Sequence, residues 1–149
     1  MSSEEPMVDV ALGRIVIRDR SDRQYIYLRE TGGNDKPRGF PIVIGNQEAH
    51  EIHRVVHGIE PQRPLTHQLA YSTIKALGAS MKSVDIVDLR QNTFYAHIVL
   101  HDEKGNAVAV VDARPSDAIA LALRARCRIR VAESVLERAS TKDEGPTEA

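Results

Sequence analysis

Val110-Val111-Asp112-Ala113-Arg114-Pro115-Ser116-Asp117-Ala118-Ile119-Ala120-Leu121-Ala122-Leu123-Arg124 reads as a strand that stops at a polar corner and runs directly into a helix. Alanine and leucine dominate residues 118 to 125, and both favour helix. Pro115 suits a first helical position, where its preset φ helps and its missing N–H costs nothing. Arg114 before it is pushed toward the extended geometry of an N-cap residue. Asp117 falls at the third helical position, where a carboxylate favours the positive end of the dipole and can cap free amides. The reading predicts that Asp112, Arg114, Ser116, Asp117 and the first helix amides converge at one corner.

Outward from this corner the chain alternates between strand and helix patterns. Val8, Val10 and Leu12 share one parity, Ile15 and Ile17 the other, which predicts one long strand with a bulge at Gly13. Residues 24 to 29 form a second strand. Residues 30 to 39 form a glycine-containing loop without the strand–loop–helix order and Lys-Ser/Thr ending of a phosphate loop. Phe40 to Ile44 is a short strand, and a helix opens at Gly45-Asn46 and runs to about His57. Its predicted buried side is Ala49, Ile52, Val55 and Val56, with Glu48 in the first turn. His50, His53 and His57 fall on one face of that helix and read as a solvated face rather than a metal site. A further helix starts at Thr66 as N-cap, with Leu69, Ala70, Ile74 and Leu77 inward and Gly78 as its stop. Residues 83 to 89, 94 to 101 and 106 to 113 form a meander. After the Ala-Leu helix, Arg126, Arg128 and Arg130 alternate with Cys127, Ile129 and Val131. That arginine row suits a phosphate patch, pairing with acids across a subunit interface, or protection of an edge strand. Residues 133 to 139 form a short helix.

These patterns predict a single α+β domain at 7–139, with a mixed, largely antiparallel sheet and helices packed against it. Residues 1–6 and 140–149 read as tails, the latter disordered by composition. The hydrophobic fraction of 42% in 149 residues supports a real core, and the 4% aromatic content makes it aliphatic. Net charge is -1, so any nucleic-acid partner must meet a local positive patch. Fifteen of the 20 basic residues are arginine, the better phosphate fork. Two Phe and four Tyr leave base stacking a limited part. The single cysteine, Cys127, excludes an intrachain disulfide and suits a reducing compartment. An acidic start without an apolar signal core, and no membrane-length apolar run, lead to the expectation of a soluble cytoplasmic protein.

The stretch from Asp112 to Arg124 resembles the signature of the bifunctional nuclease (DNase/RNase) domain family. Three further segments resemble it in order: Pro41 to Gly45 with Glu48-Ala49, Arg63 to Leu69, and Asp88-Leu89-Arg90 with Thr93 to Ala96. The resemblance spans roughly residues 7 to 139. Relatives usually break the last long helix with glycine near 126, where this chain has Arg126. The resemblance implies hydrolysis of DNA and RNA phosphodiesters with little sequence preference. Such hydrolysis needs charge neutralisation and an activated water, both of which a divalent cation supplies.

The residues then sort by chemistry. Asp112 and Asp117 are the expected ligands for Mg²⁺ or Mn²⁺, with Glu48 a third carboxylate. Arg114 is the phosphate clamp and His67 the candidate base. Arg63, Thr66, Ser116, Arg126, Arg128 and Arg130 are candidate substrate contacts. The competing reading is a non-catalytic homo-oligomeric module, a dimer first, whose acid–Arg corner is structural or holds a small anion. No nucleophile motif of the Gly-x-Ser-x-Gly type is present.

Overall fold

A computed structural model describes residues 5–18, 20 and 23–140. Strands β1 (Met7–Val16), β2 (Gln24–Glu30) and β3 (Gly39–Ile44) are followed by helices α1 (Asn46–His57) and α2 (Thr66–Ala76). The meander β4 (Ser80–Arg90), β5 (Thr93–His101) and β6 (Ala107–Ala113) leads into α3 (Pro115–Ala125), β7 (Arg128–Ala132) and α4 (Glu133–Ala139). One sheet holds the seven strands in the order β3-β2-β1-β7-β4-β5-β6. The β4–β7 pairing is parallel and the other five are antiparallel. This is the mixed, largely antiparallel α+β domain the patterning predicts.

The bulge at Gly13 is present: Leu12 pairs with Leu28, and the next partners are Arg14 and Tyr27. It switches the parity of β1 so that Ile15 still faces the core while Arg14 turns outward. Pro115 begins α3 and Arg114 holds extended geometry at its N-cap (φ −68°, ψ 144°). Arg126 ends α3 in the left-handed conformation (φ 58°, ψ 39°) without a glycine.

The sheet curls around α3. Phe40 of β3 and Phe94 of β5 lie far apart in strand order, yet their rings stack with centroids 5.3 Å apart. Alanines at 118, 120 and 122 keep α3 thin enough to sit inside this curve, and Ile119, fully buried, belongs to the same core as Ile26, Leu28, Phe40, Ile86 and Val131. Burial drives this packing, at about 25 cal/mol per Å² of apolar surface removed from water.

Several expectations are corrected. Strand β7 is central, between β1 and β4, so its arginines do not protect an edge. Val56, Leu69 and Leu77 are exposed; the buried side of α1 instead takes Glu48 and Glu51 with Ala49 and Ile52. Helix α2 buries no residue fully and rests on Ala70, Tyr71 and Ile74. Its N-cap is Leu65, whose N–H donates to Gln68 Oε1 at 2.9 Å, so Thr66 is the first helical residue. A helical apolar period marks one face but does not say how deeply that face is seated. Glu5 and Pro6 are tied to the start of α4: the Ser134 N–H donates to Glu5 at 2.5 Å and the Glu133 N–H to the Pro6 carbonyl at 3.0 Å. The expected tails at 1–4 and 141–149 lie outside the described residues. No helix among the described residues is long and apolar enough to cross a membrane.

Candidate functional site

Three helices start at one corner of the domain. Strand β3 ends at Gly45 and becomes α1, β6 ends at Arg114 and becomes α3, and Leu65 leads into α2. Each start presents free amides and the positive end of a dipole. Side chains from the first turns join there. Glu48 comes from α1, His67 from α2, and Arg114 and Asp117 from the start of α3.

Arg114 is the hub. Its Nε donates to Asp117 Oδ2 at 2.9 Å, and its Nη2 contacts Asp117 Oδ2 at 2.8 Å and Glu48 Oε1 at 2.5 Å. Asp117 first and Glu48 second hold the guanidinium pKa above its ordinary value. Asp117 Oδ1 lies 2.8 Å from His67 Nε2. An ionised carboxylate only accepts, so Nε2 carries a proton, and in the neutral imidazole the lone pair is on Nδ1. Asp117 therefore orients the imidazole, and the amide-capping role expected for it goes unused. Glu48 folds back over the start of α1. A Cβ at Gly45 would lie 2.8 Å from Glu48 Oε2, so the missing side chain leaves that carboxylate its place.

The corner is paired but not sealed. Arg114 is 66% exposed and Asp117 32%, whereas His67 is 15% and Glu48 10%. Two clefts flank the group. One, of about 530 Å³, lies between α1 and α2 and is lined by Asn46, His50, Arg54, Thr66 and His67. The other, of about 420 Å³, reaches from β3 to α3 and is lined by Pro41, Val43, Gly45, Thr93, Arg114 and Ser116.

The structure does not bring Asp112 to this corner. Asp112 pairs with His97 across β5–β6, one residue before Ala113, which faces Ala96 in the core. Alternation along β6 turns the Asp112 side chain to the other face of the sheet. The expected two-carboxylate metal pair is thus split. Both oxygens of Asp117 already have partners, and no group of three His, Cys, Asp or Glu among the described residues is arranged to hold an ion. The pair expected to hold Mg²⁺ or Mn²⁺ is therefore not brought together, and Asp117 is committed to Arg114 and His67.

Among the remaining candidates, Thr66 and Ser116 line the clefts and Arg63 is exposed just before α2. Arg126 sits at the far end of α3, away from its N-terminal corner. Arg128 makes a two-point bridge to Asp9 (3.0 and 3.0 Å), and Arg130 makes one to Asp85 (2.8 and 2.7 Å). These acids lie on neighbouring strands of the same chain, not across a subunit interface. The sequence reading missed Glu51, which is buried between Arg54 and Arg124. The signal available was its position three residues after Glu48, on the same helix face.

Residues 26–144 match the model of the bifunctional nuclease domain. The uncharacterized proteins Rv1829 and MT1877 of Mycobacterium tuberculosis, strains H37Rv and CDC 1551, are each 41% identical to the chain over 145 residues. That alignment covers 96% of this chain and 84% of each relative. The chain therefore belongs to the bifunctional nuclease domain family.

Proposed function

We propose that the chain hydrolyses phosphodiester bonds of DNA and RNA at the corner where the three helices begin, with little sequence preference. The observation that carries this reading is the 2.8 Å contact between His67 Nε2 and Asp117 Oδ1 beside an exposed arginine. With Nε2 oriented by Asp117, Nδ1 is the proton acceptor. A water bonds to phosphorus as its proton passes to Nδ1. The P–O bond to the leaving oxygen breaks, and that oxygen takes the proton back from the imidazolium. Arg114 has Nε and Nη2 engaged by carboxylates, which leaves Nη1 to meet a phosphate oxygen. The helix starts add amides aimed at the same charge. Glu48 and Asp117 keep the guanidinium fixed, which is pre-organisation for an anion.

The test is cleavage of labelled single-stranded DNA, duplex DNA and RNA by protein from a nuclease-deficient host, with Mg²⁺, Mn²⁺ or EDTA. Wild-type protein should cut and His67→Ala should not. Equal cleavage by folded His67→Ala would overturn the reading.

A second reading has its own support. Both carboxylates of the corner are satisfied by Arg114, as in a purely architectural cluster. It predicts no cleavage by wild type under any metal condition, with Arg114→Ala losing stability alone. Self-association as a dimer belongs to this reading, and sedimentation of the full chain measures it directly.

A further inference from the structure

The face of the sheet opposite the helices divides into two halves of different charge character. Over β1, β7 and β4 the register aligns Asp9, Arg130 and Asp85, and Arg128 reaches Asp9 diagonally. Every arginine of that half is neutralised by a neighbour. Over β1, β2 and β3 the pattern is different. Arg14, Tyr27 and Pro41 align in one row, and Val16, Tyr25 and Val43 in the next. The Tyr27 ring lies flat over Gly39, where an added Cβ would stand 2.6 Å from it. Arg14 and Arg29 lie over that ring with their guanidinium carbons 5.6 and 5.9 Å from its centroid. Arg18 lies 5.5 Å over Tyr25 and donates to its hydroxyl at 3.1 Å.

Arg14 and Arg29 are exposed and pair with no carboxylate among the described residues. The Tyr27 ring holds them by cation–π attraction, which orders a guanidinium without cancelling its charge. One ring thus gathers two cations from neighbouring strands, β1 and β2, into a pair. A pair of ordered, uncancelled guanidiniums is complementary to successive phosphates of a nucleic-acid strand. The pair also connects to the corner. Pro41 and Val43, the register partners of Tyr27 and Tyr25, line the cleft that reaches Arg114 and Ser116.

We propose that the outer face of β1–β2–β3 is a phosphate track for single-stranded nucleic acid, which crosses β3 to the Arg114 corner. The delivery to the corner rests on the hydrolytic reading; the binding does not. Arg14 and Arg29 contact phosphates, and Tyr27 holds both arginines rather than stacking a base.

The test is fluorescence anisotropy of a labelled oligothymidylate with the full chain across a salt series. The slope of log affinity against log salt should be shallower by about 0.7 for each arginine removed from a single-strand contact. Arg14→Gln/Arg29→Gln should therefore flatten it by about 1.4, so that the variant binds more weakly at low salt and the wild type's advantage shrinks about 25-fold over one decade of added salt. The double lysine variant keeps the charges and should keep most of the slope. Arg128→Gln, whose cation is already cancelled by Asp9, should bind as wild type. His67→Ala should bind normally whether or not the wild type cuts, which separates this proposal from the hydrolytic one. An unchanged slope in the double glutamine variant, or an equal loss in Arg128→Gln, would overturn it. So would arginine-dependent binding to anionic phosphatidylglycerol vesicles with none to the oligonucleotide.

Discussion

Helices α1 and α3 are joined by two acid–arginine clusters built from the same parts, Glu48 with Arg114 and Glu51 with Arg124. Their surroundings differ. Glu51 is 1% exposed, takes Arg124 Nη2 at 2.6 Å and Arg54 Nη2 at 3.1 Å, and Arg124 is itself only 14% exposed. Arg114 is 66% exposed, lines the cleft between β3 and α3, and shares Asp117 with His67. A carboxylate as buried as Glu51 holds two helices together and is out of a ligand's reach, although its partner Arg54 lines the cleft between α1 and α2. A charge with one side in solvent holds the same helices and still meets a phosphate. Residue identity alone does not separate structural from chemical ion pairs; access does.

The comparison can be broken at either cluster. The largest effect is expected at the open one: His67→Ala should lower single-turnover cleavage about 100- to 10,000-fold, the range for loss of a positioned base. Its melting temperature should fall only modestly, because His67 loses one contact to a half-exposed Asp117 and α2 buries no residue fully. At the closed cluster the balance reverses. Glu51→Ala leaves two arginines facing each other with no counter-charge and should cost about 3–5 kcal/mol in urea unfolding. Glu48→Gln should cost about 1 kcal/mol or less, because its arginine turns to water. A Glu48 variant as unstable as the Glu51 one would erase the distinction.

A third ion group sharpens the point through pH. Glu30 is bridged by Arg38, which also holds Glu133 and so ties α4 to the β2–β3 loop. Arg38 lowers the Glu30 pKa from 4.5 to about 2. A depressed carboxylate stabilises the fold above its unfolded pKa and loses that contribution as pH falls through the folded one. Stability should therefore decline between pH 4.5 and 2, and Glu30→Gln should remove this part of the decline. The smallest effect is expected at Leu77, 81% exposed, where Leu77→Ser should change stability by under about 0.5 kcal/mol.

The strands and helices were legible because local signals agreed with the fold. Gly13 marked a bulge, Pro115 opened a helix, and the alternation around Ile129 marked a strand. The position of β7 in the sheet was not legible, because a five-residue strand carries no record of its neighbours. At the site, Arg114, Asp117, His67 and Glu48 were all named from the sequence, and the structure joins them. Asp112 was misplaced for a simple reason. Proximity in sequence suggested a shared corner, but one step along a strand reverses the side chain. The burial of Glu51 and the order imposed on Arg14 and Arg29 by Tyr27 depend on contacts between distant segments. No local pattern encodes those.

The most direct measurement compares Asp117→Asn with Asp112→Asn in single-turnover cleavage of a labelled single strand, with folding checked by circular dichroism. Asp117 orients His67 and Asp112 faces away, so the account predicts a loss of about 100-fold or more for Asp117→Asn and wild-type rates for Asp112→Asn. Wild-type cleavage by Asp117→Asn, or a loss confined to Asp112→Asn, would contradict it.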